Sequence, residues 1–304
     1  MQMSLTLAQQ VLVVFLLSGI GFLMFRSGKI TMEGNRCFGN VLIYLSLPAV
    51  IIKGFMVDRT PQSELALGLS ILLGVGAVVL GVLLARLLLG KDSIGNFSAT
   101  FSNPSFFGIP LVTSILGQGP IFYMTGFIAA MNVGQWTYGV SLLTGERPKL
   151  TARELLTSPF DIAIVVGLLL FLTQPSLPSV ITNSLDFVAA LNTPLAMFTM
   201  GVYLAHVDLK AMFRRLSLYR ITAARLLVIP LVTLVCLSLV PSRYESMKLA
   251  ILIAQACPVG LNVAVYAQLH DADYVYAVET IVMSVLFSVV SIPVVVWVAQ
   301  LFWA

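Results

Sequence analysis

The chain has 304 residues, 59% of them apolar and 10% charged, with 17 Lys and Arg against 13 Asp and Glu. A soluble domain carries roughly 25% charged residues, so this composition excludes a water-facing globule and reads as a polytopic membrane protein. The +4 net charge then reports orientation in a bilayer, not nucleic-acid binding.

Apolar runs between polar punctuation give ten segments of roughly membrane-crossing length. The first, 7–25, is followed by Arg26, Lys29 and Arg36; the preceding "MQMSLTLAQQ" lacks the basic region of a cleaved signal peptide. The second, 37–56, contains "LSLPAVIIKGF", with Ser46 and Pro48 inside it and Lys53 near its end, where a lysine snorkels outward. Arg86 and Lys91 close the third, 66–90. The fourth, 94–116, contains "FSNPSFFGIPL", two prolines and a glycine within an apolar run. Proline costs about 3 kcal/mol in a helix interior and removes a donor. The fifth, 119–144, contains "AAMNVGQWTYGV", where Asn132 and Gln135 share a helix face that Tyr138 continues. "ERPKLTARELLTSP" (146–159) follows, read either as an amphipathic helix on the membrane or as a plain connector.

The sixth and seventh segments, 159–174 and 184–205, carry Asp161 and Asp186 at their starts, where a negative charge suits the helix dipole. The seventh contains "LNTPLAMFTMG", with Asn192, Thr193 and Pro194. Arg225 lies inside the eighth, 217–240; the ninth, 246–269, contains "QACPVGLNVAVYA"; Glu279 lies inside the tenth, 274–302. Intramembrane charges are usually paired, so Arg225 and Glu279 are expected to form a structural ion pair, with a coupling proton on Glu279 as the alternative. Twelve of the 17 Lys and Arg fall in odd-numbered connections and four in even-numbered ones, which places the odd connections in the cytoplasm and both termini outside. Cys37, Cys236 and Cys257 have no paired spacing and read as small buried hydrophobes. His206 and His270 lie far apart, so neither a metal nor another cofactor is expected.

Five segments make a half, and an odd number inverts the second half relative to the first. Pro48 and Pro194 are 146 residues apart and Pro110 and Pro258 are 148 apart, the trace of a duplicated unit. The chain thus divides into a five-helix repeat at 1–145, a cytoplasmic connector at 146–158 and an inverted five-helix repeat at 159–304. Broken segments in matching places of two inverted halves point to a transporter site. In the fourth segment, either Asn103 caps a half-helix that Pro104 opens, or Gly108 closes one that Pro110 reopens. Pro258 and Gly260 repeat the arrangement in the ninth. Two half-helix N-termini converging without a fixed carboxylate favour a small anion. Asn103 and Asn262 are the side-chain donors expected there, with Ser105, Gly108, Pro110, Cys257, Pro258 and Gly260 around them. Ser46, Asn192 and Thr193 complete the wall from the second and seventh segments.

"NPSFFGIPL" resembles the N-x-x-F-x-G-I-P-L stretch of the auxin efflux carrier family, which includes bacterial carboxylate permeases and plant PIN-formed carriers. "ACPVGLNVAVYAQLHDAD" is similar to that family's P-x-G-x-N segment, and "TIVMSVLFSVVSIPVVV" to its last helix. Pro104 directly after Asn103 departs from the family's small or β-branched residue. The resemblance implies an all-α integral membrane protein of ten transmembrane helices in two inverted repeats, with the fold of bile-acid symporters and sodium/proton antiporters. Helices 1, 2, 6 and 7 would form a scaffold, as a homodimer, against which a core with crossing helices 4 and 9 moves as an elevator. It also implies that Asn132, Gln135 and Tyr138 line the pocket; hydrogen bonding between helices is the alternative for these three.

The expected function is therefore secondary transport of a small organic anion, a carboxylate, across the cytoplasmic membrane by alternating access, with H+ or Na+ as coupling ion. A cation/proton antiporter needs acidic residues that neither break nor the fifth segment contains. A sodium symporter of the bile-acid type and a non-transporting receptor with this fold stay open as alternatives. An intramembrane enzyme is not expected, because no "GxGD", "HExxH" or "DDxxD" occurs. No ATP-binding motif occurs either, which leaves an ion gradient or the membrane potential as the driving force.

Overall fold

The computed structural model describes residues 2–146 and 159–303, so most of the 146–158 connector lies outside the described residues. Every described element is helical: α1 (Gln2–Arg26), α2 (Met32–Gly54), α3 (Pro61–Leu89), α4 (Ser93–Thr100), α5 (Pro104–Leu116), α6 (121–144), α7 (Pro159–Thr173), α8 (Ser179–His206), α9 (Leu216–Leu237), α10 (Glu245–Ala256), α11 (Asn262–Leu269) and α12 (Tyr274–Trp303). Six of these, α1, α2, α3, α8, α9 and α12, are long and apolar enough to cross a membrane; α5 and α7 are shorter apolar helices. The helix starts follow from local chemistry. Thr31 accepts the Gly34 N–H, Thr60 and Ser63 form a reciprocal capping box, and Asp92 accepts the Gly95 N–H at 2.7 Å.

Three prolines inside helices share one arrangement. Turns of π geometry occupy 42–46 in α2, 104–108 in α5 and 224–228 in α9, and Pro48, Pro110 and Pro230 each stand two residues later. A proline ring crowds the carbonyl four residues before it and offers that carbonyl no donor. Opening the preceding turn to the wider i→i+5 pattern relieves both. Pro110 therefore widens α5 without ending it.

The helices pack pairwise. α1 lies along α8, α2 along α7, α3 along α6 and α9 along α12, while α4 rests on α3 and α10 on α9. Backbones approach closely where side chains are absent. A Cβ at Gly201 would overlap the Ser18 carbonyl and the Phe22 amide, and one at Gly74 would come within 2.6 Å of the Phe127 nitrogen. Small residues permit this contact where lipid supplies no hydrophobic drive between helices. Cys257 is buried, but Cys37 and Cys236 are exposed on helix surfaces, contrary to the expectation that all three are buried.

Overpacking a tight contact costs about 1–3 kcal/mol or more. Gly201→Val should therefore sharply reduce monodisperse protein in detergent and lower its Tm. Gly19→Ala, with nothing within 4 Å of the added carbon, should melt like the parent.

Candidate functional site

Two interruptions meet at the centre of the molecule. α4 ends at Thr100 and α5 begins at Pro104; α10 ends at Ala256 and α11 begins at Asn262. Each contains a residue placed before a proline, which disfavours helical ψ. Asn103 takes φ −110°, ψ 66° before Pro104, and Cys257 takes φ −60°, ψ 153° before Pro258. The Asn103 side chain then accepts the Phe106 N–H at 3.2 Å and caps α5. Of the two readings of the fourth segment, the Asn103–Pro104 one holds, while Gly108 and Pro110 lie within α5.

The interruptions satisfy each other's backbone. The Asn103 N–H donates to the Pro258 carbonyl at 2.9 Å and the Gly260 N–H to the Phe101 carbonyl at 3.0 Å, an antiparallel bridge centred on Ser102 and Val259. Ser102 Oγ donates to the Ala254 carbonyl at 2.8 Å, and the Val259 N–H donates to Ser284 Oγ at 2.9 Å. Gly260 is needed by this approach, because a Cβ there would stand 2.7 Å from the Ser102 oxygen.

The C-terminal ends of α4 and α10 converge on one side chain. Arg225, fully buried on the π turn of α9, donates from Nη1 to the Ala99 and Thr100 carbonyls at 2.7 and 2.9 Å, and from Nη2 to the Gln255 carbonyl. A guanidinium fork suits carbonyls on two helices, and its charge opposes the negative end of both dipoles. The expected Arg225–Glu279 pair is thus not formed. Glu279, buried on α12, instead accepts from Arg215 Nη1 at 2.7 Å, a half-exposed residue just before α9. Arg225 has no reach to spare, because backbone carbonyls already hold its fork. Lys53 likewise does not project freely but pairs with Asp186, which sits within α8 and not at its start.

A cavity of about 260 Å³ opens against the paired breaks. Asn103 and Ser105 reach it from the start of α5, Gly260 and Asn262 from the start of α11, and Asn132 and Gln135 from α6. Asn262 Nδ2 donates to Gln135 Oε1 at 2.7 Å. Asn103 is 4% exposed and its Nδ2 has no partner. Phe106, Trp136, Phe160 and Tyr266 are the aromatic part of the remaining wall, with the Trp136 and Tyr266 rings edge to face at 5.4 Å. None of the described residues lining this cavity carries a charge.

The other expected residues stand elsewhere. Gly108 and Cys257 pack on each other behind α5, and the Cys257 thiol donates to the Ile253 carbonyl. Pro258 contributes its carbonyl to the bridge and does not line the cavity. Tyr138 lies beyond the cavity with a buried hydroxyl that has no partner. Ser46 donates to the Val188 carbonyl at 3.0 Å and ties α2 to α8. Asn192 donates to the Ser105 carbonyl at 3.1 Å and, with Thr193 and Pro110, lines a second cavity. The aromatic wall was missed from sequence, although Trp136 and Tyr266 each stand one helical turn after an expected asparagine, Asn132 and Asn262.

A family model described as a membrane transport protein matches residues 6–296. A protein of Rhizobium meliloti (strain 1021) named "Putative malonate transporter" is 26% identical over 298 residues, covering 90% of this chain and 91% of its own length.

Removing a donor from a buried carbonyl costs about 1–3 kcal/mol per group, and Arg225 serves three. Arg225→Met should therefore lower Tm and yield severely, whereas Glu279→Gln should cost little, its partner being half exposed. Exchanging the two charges in an Arg225→Glu, Glu279→Arg double variant should give no rescue in a thermal-shift assay.

Proposed function

This chain belongs to the membrane transport protein family, the family of the auxin efflux carriers, and from that premise we propose that it is a secondary transporter of a small organic carboxylate, bound where the breaks meet. The names carried by the family and by the similar protein are those of transporters, not of enzymes. The observation that carries the binding site is Asn103 Nδ2, a buried donor without an acceptor on the wall of a cavity. Beside it stand the N-termini of α5 and α11, whose positive dipole ends favour an anion. A carboxylate seated there meets neutral donors at one pole, and its carbon body meets Phe106, Trp136 and Tyr266.

The proposed architecture is ten membrane-crossing helices in two inverted halves, 1–145 and 159–304, with both termini outside the cytoplasmic membrane. Packing supports this reading, because contacts exchange under the repeat: α1 with α8 corresponds to α7 with α2, α3 with α6 to α9 with α12, and α3 with α4 to α9 with α10. The α1, α2, α7 and α8 group then forms the scaffold, paired with a second copy, and the remaining helices form the core that alternates access.

The alternative of sodium coupling at the breaks is disfavoured by the engagement of their carbonyls. Ala99, Thr100 and Gln255 face Arg225, while Phe101 and Pro258 complete the bridge. A fixed guanidinium stands where a sodium ion would need oxygen ligands. Replacing sodium by choline should therefore leave carboxylate flux into proteoliposomes unchanged.

The site is tested by Asn103→Asp, which keeps an oxygen to cap α5 and removes the Nδ2 donor. Losing one hydrogen bond to a charged ligand costs about 1.5–3 kcal/mol, roughly tenfold to hundredfold in affinity. Malonate and short monocarboxylates should bind this variant at least that much more weakly, at near-parental Tm. Parental binding and flux in Asn103→Asp would remove the carboxylate from the breaks, and parental protein without any carboxylate flux would make the chain a receptor.

A further inference from the structure

A second cavity, of about 290 Å³, lies toward the other end of α5. Ser105, in the first turn of that helix, lines the break cavity; Pro110, Thr113 and Ser114 further along it, and Gln118 just beyond its end, line the second. At about 1.5 Å rise per residue, the two openings are separated by most of the length of one half-helix. Asn192 stands between them. It is 2% exposed, donates Nδ2 to the Ser105 carbonyl, faces the second cavity and has an unpartnered Oδ1. Lys53 and Asp186 are the only charged side chains among the described residues lining this second cavity, and they are paired with each other.

We propose that the second cavity is a carboxylate-binding site on the opposite side of the transport path, in which Lys53 captures the anion and Asp186 is its intramolecular competitor. The proposal rests on the transport reading above but not on the break cavity being the site of binding. Three features lead to it. The break cavity carries no fixed charge, so an anion that reached it straight from water would give up its hydration before meeting any cation. Lys53 supplies that cation at an intermediate point, held at 24% exposure on the last turn of α2. Asp186, 55% exposed, can turn back to water at small cost, because an ion pair with an exposed partner is only weakly held. Exchanging one carboxylate for another leaves Lys53 paired throughout. The Thr193 hydroxyl, on the same wall, is placed to complete the shell of a bound carboxylate. The ligand class is accordingly a small carboxylate anion, and the competing account is a staple that merely joins α2 to α8.

The test measures protection of a thiol in the full chain, reconstituted in liposomes. With Cys37→Ser and Cys236→Ser removing the exposed thiols, Thr113→Cys places one thiol on the cavity wall, and its reaction with an impermeant thiosulfonate is timed in malonate against chloride of equal ionic strength. Malonate should slow the reaction. Losing a charge-assisted contact should raise the half-protecting concentration about tenfold or more in Lys53→Gln, Lys53→Arg should restore it, and Asp186→Asn should lower it severalfold. Protection should persist when Asn103→Asp is added, which separates this site from the break cavity. Absence of protection by malonate, equal protection in Lys53→Gln, or loss of protection with Asn103→Asp would each overturn the proposal.

Discussion

A helix that is interrupted in a protein interior leaves backbone groups with no water to bond to, and the rest of this molecule is arranged around two helix ends and two helix starts of that kind. Each half-helix end in hydrocarbon would cost several kcal/mol per unsatisfied group. The structure answers with two devices that differ in sign. The ends of α4 and α10, where carbonyl oxygens accumulate, share the buried guanidinium of Arg225. The starts of α5 and α11, where N–H groups accumulate, meet no charged side chain among the described residues: Asn103 caps Phe106, the Gly260 and Leu261 carbonyls take the Val263 and Ala264 N–H groups, and both starts face a cavity. Negative ends are neutralised by a fixed cation, and positive ends are given no fixed anion among the described residues.

That asymmetry explains the neutrality of the cavity wall. With Arg225 confined to the far face of the breaks, the anion proposed to bind there would be met by dipoles and by the Asn103, Asn132, Gln135 and Asn262 amides that line the cavity. Dipoles hold a carboxylate less tightly than a lysine or arginine would, and a carrier must release what it binds. The Asn262–Gln135 hydrogen bond joins α11 to α6 across the same cavity, so occupancy there can be sensed by a helix that belongs to neither break.

The places where the chain stops being helical were legible in part, because "NP" and "CP" each put a residue before a proline, where helical ψ is disfavoured. The helix positions followed from apolar runs and their polar ends. Pro110 misled for a physical reason: a proline can be absorbed by one widened turn, and nothing in its neighbours distinguishes that outcome from a break. Arg225 misled differently. It was recognisable as a charge inside an apolar segment, yet its partners are backbone oxygens, which every residue carries and no residue type announces. Glu279 suggested itself only because it was the other intramembrane charge at hand, and Arg215, half exposed near a helix start, looked like an ordinary surface residue. The aromatic wall was hidden because Trp136 and Tyr266 lie in runs where large apolar residues are the rule.

The bridge between the breaks also decides where the molecule can yield. Because Asn103 and Gly260 each donate to the opposite break, and Arg225 grips both preceding helices, α4, α5, α10, α11 and α9 are stitched into a single block that cannot slide internally without losing backbone bonds. Across the face between α5 and α8, by contrast, the tie among the described residues is the Asn192 amide on the Ser105 carbonyl. A face held by so replaceable a tie has the properties of a shear plane, bordered at one end by the neutral cavity and at the other by Lys53.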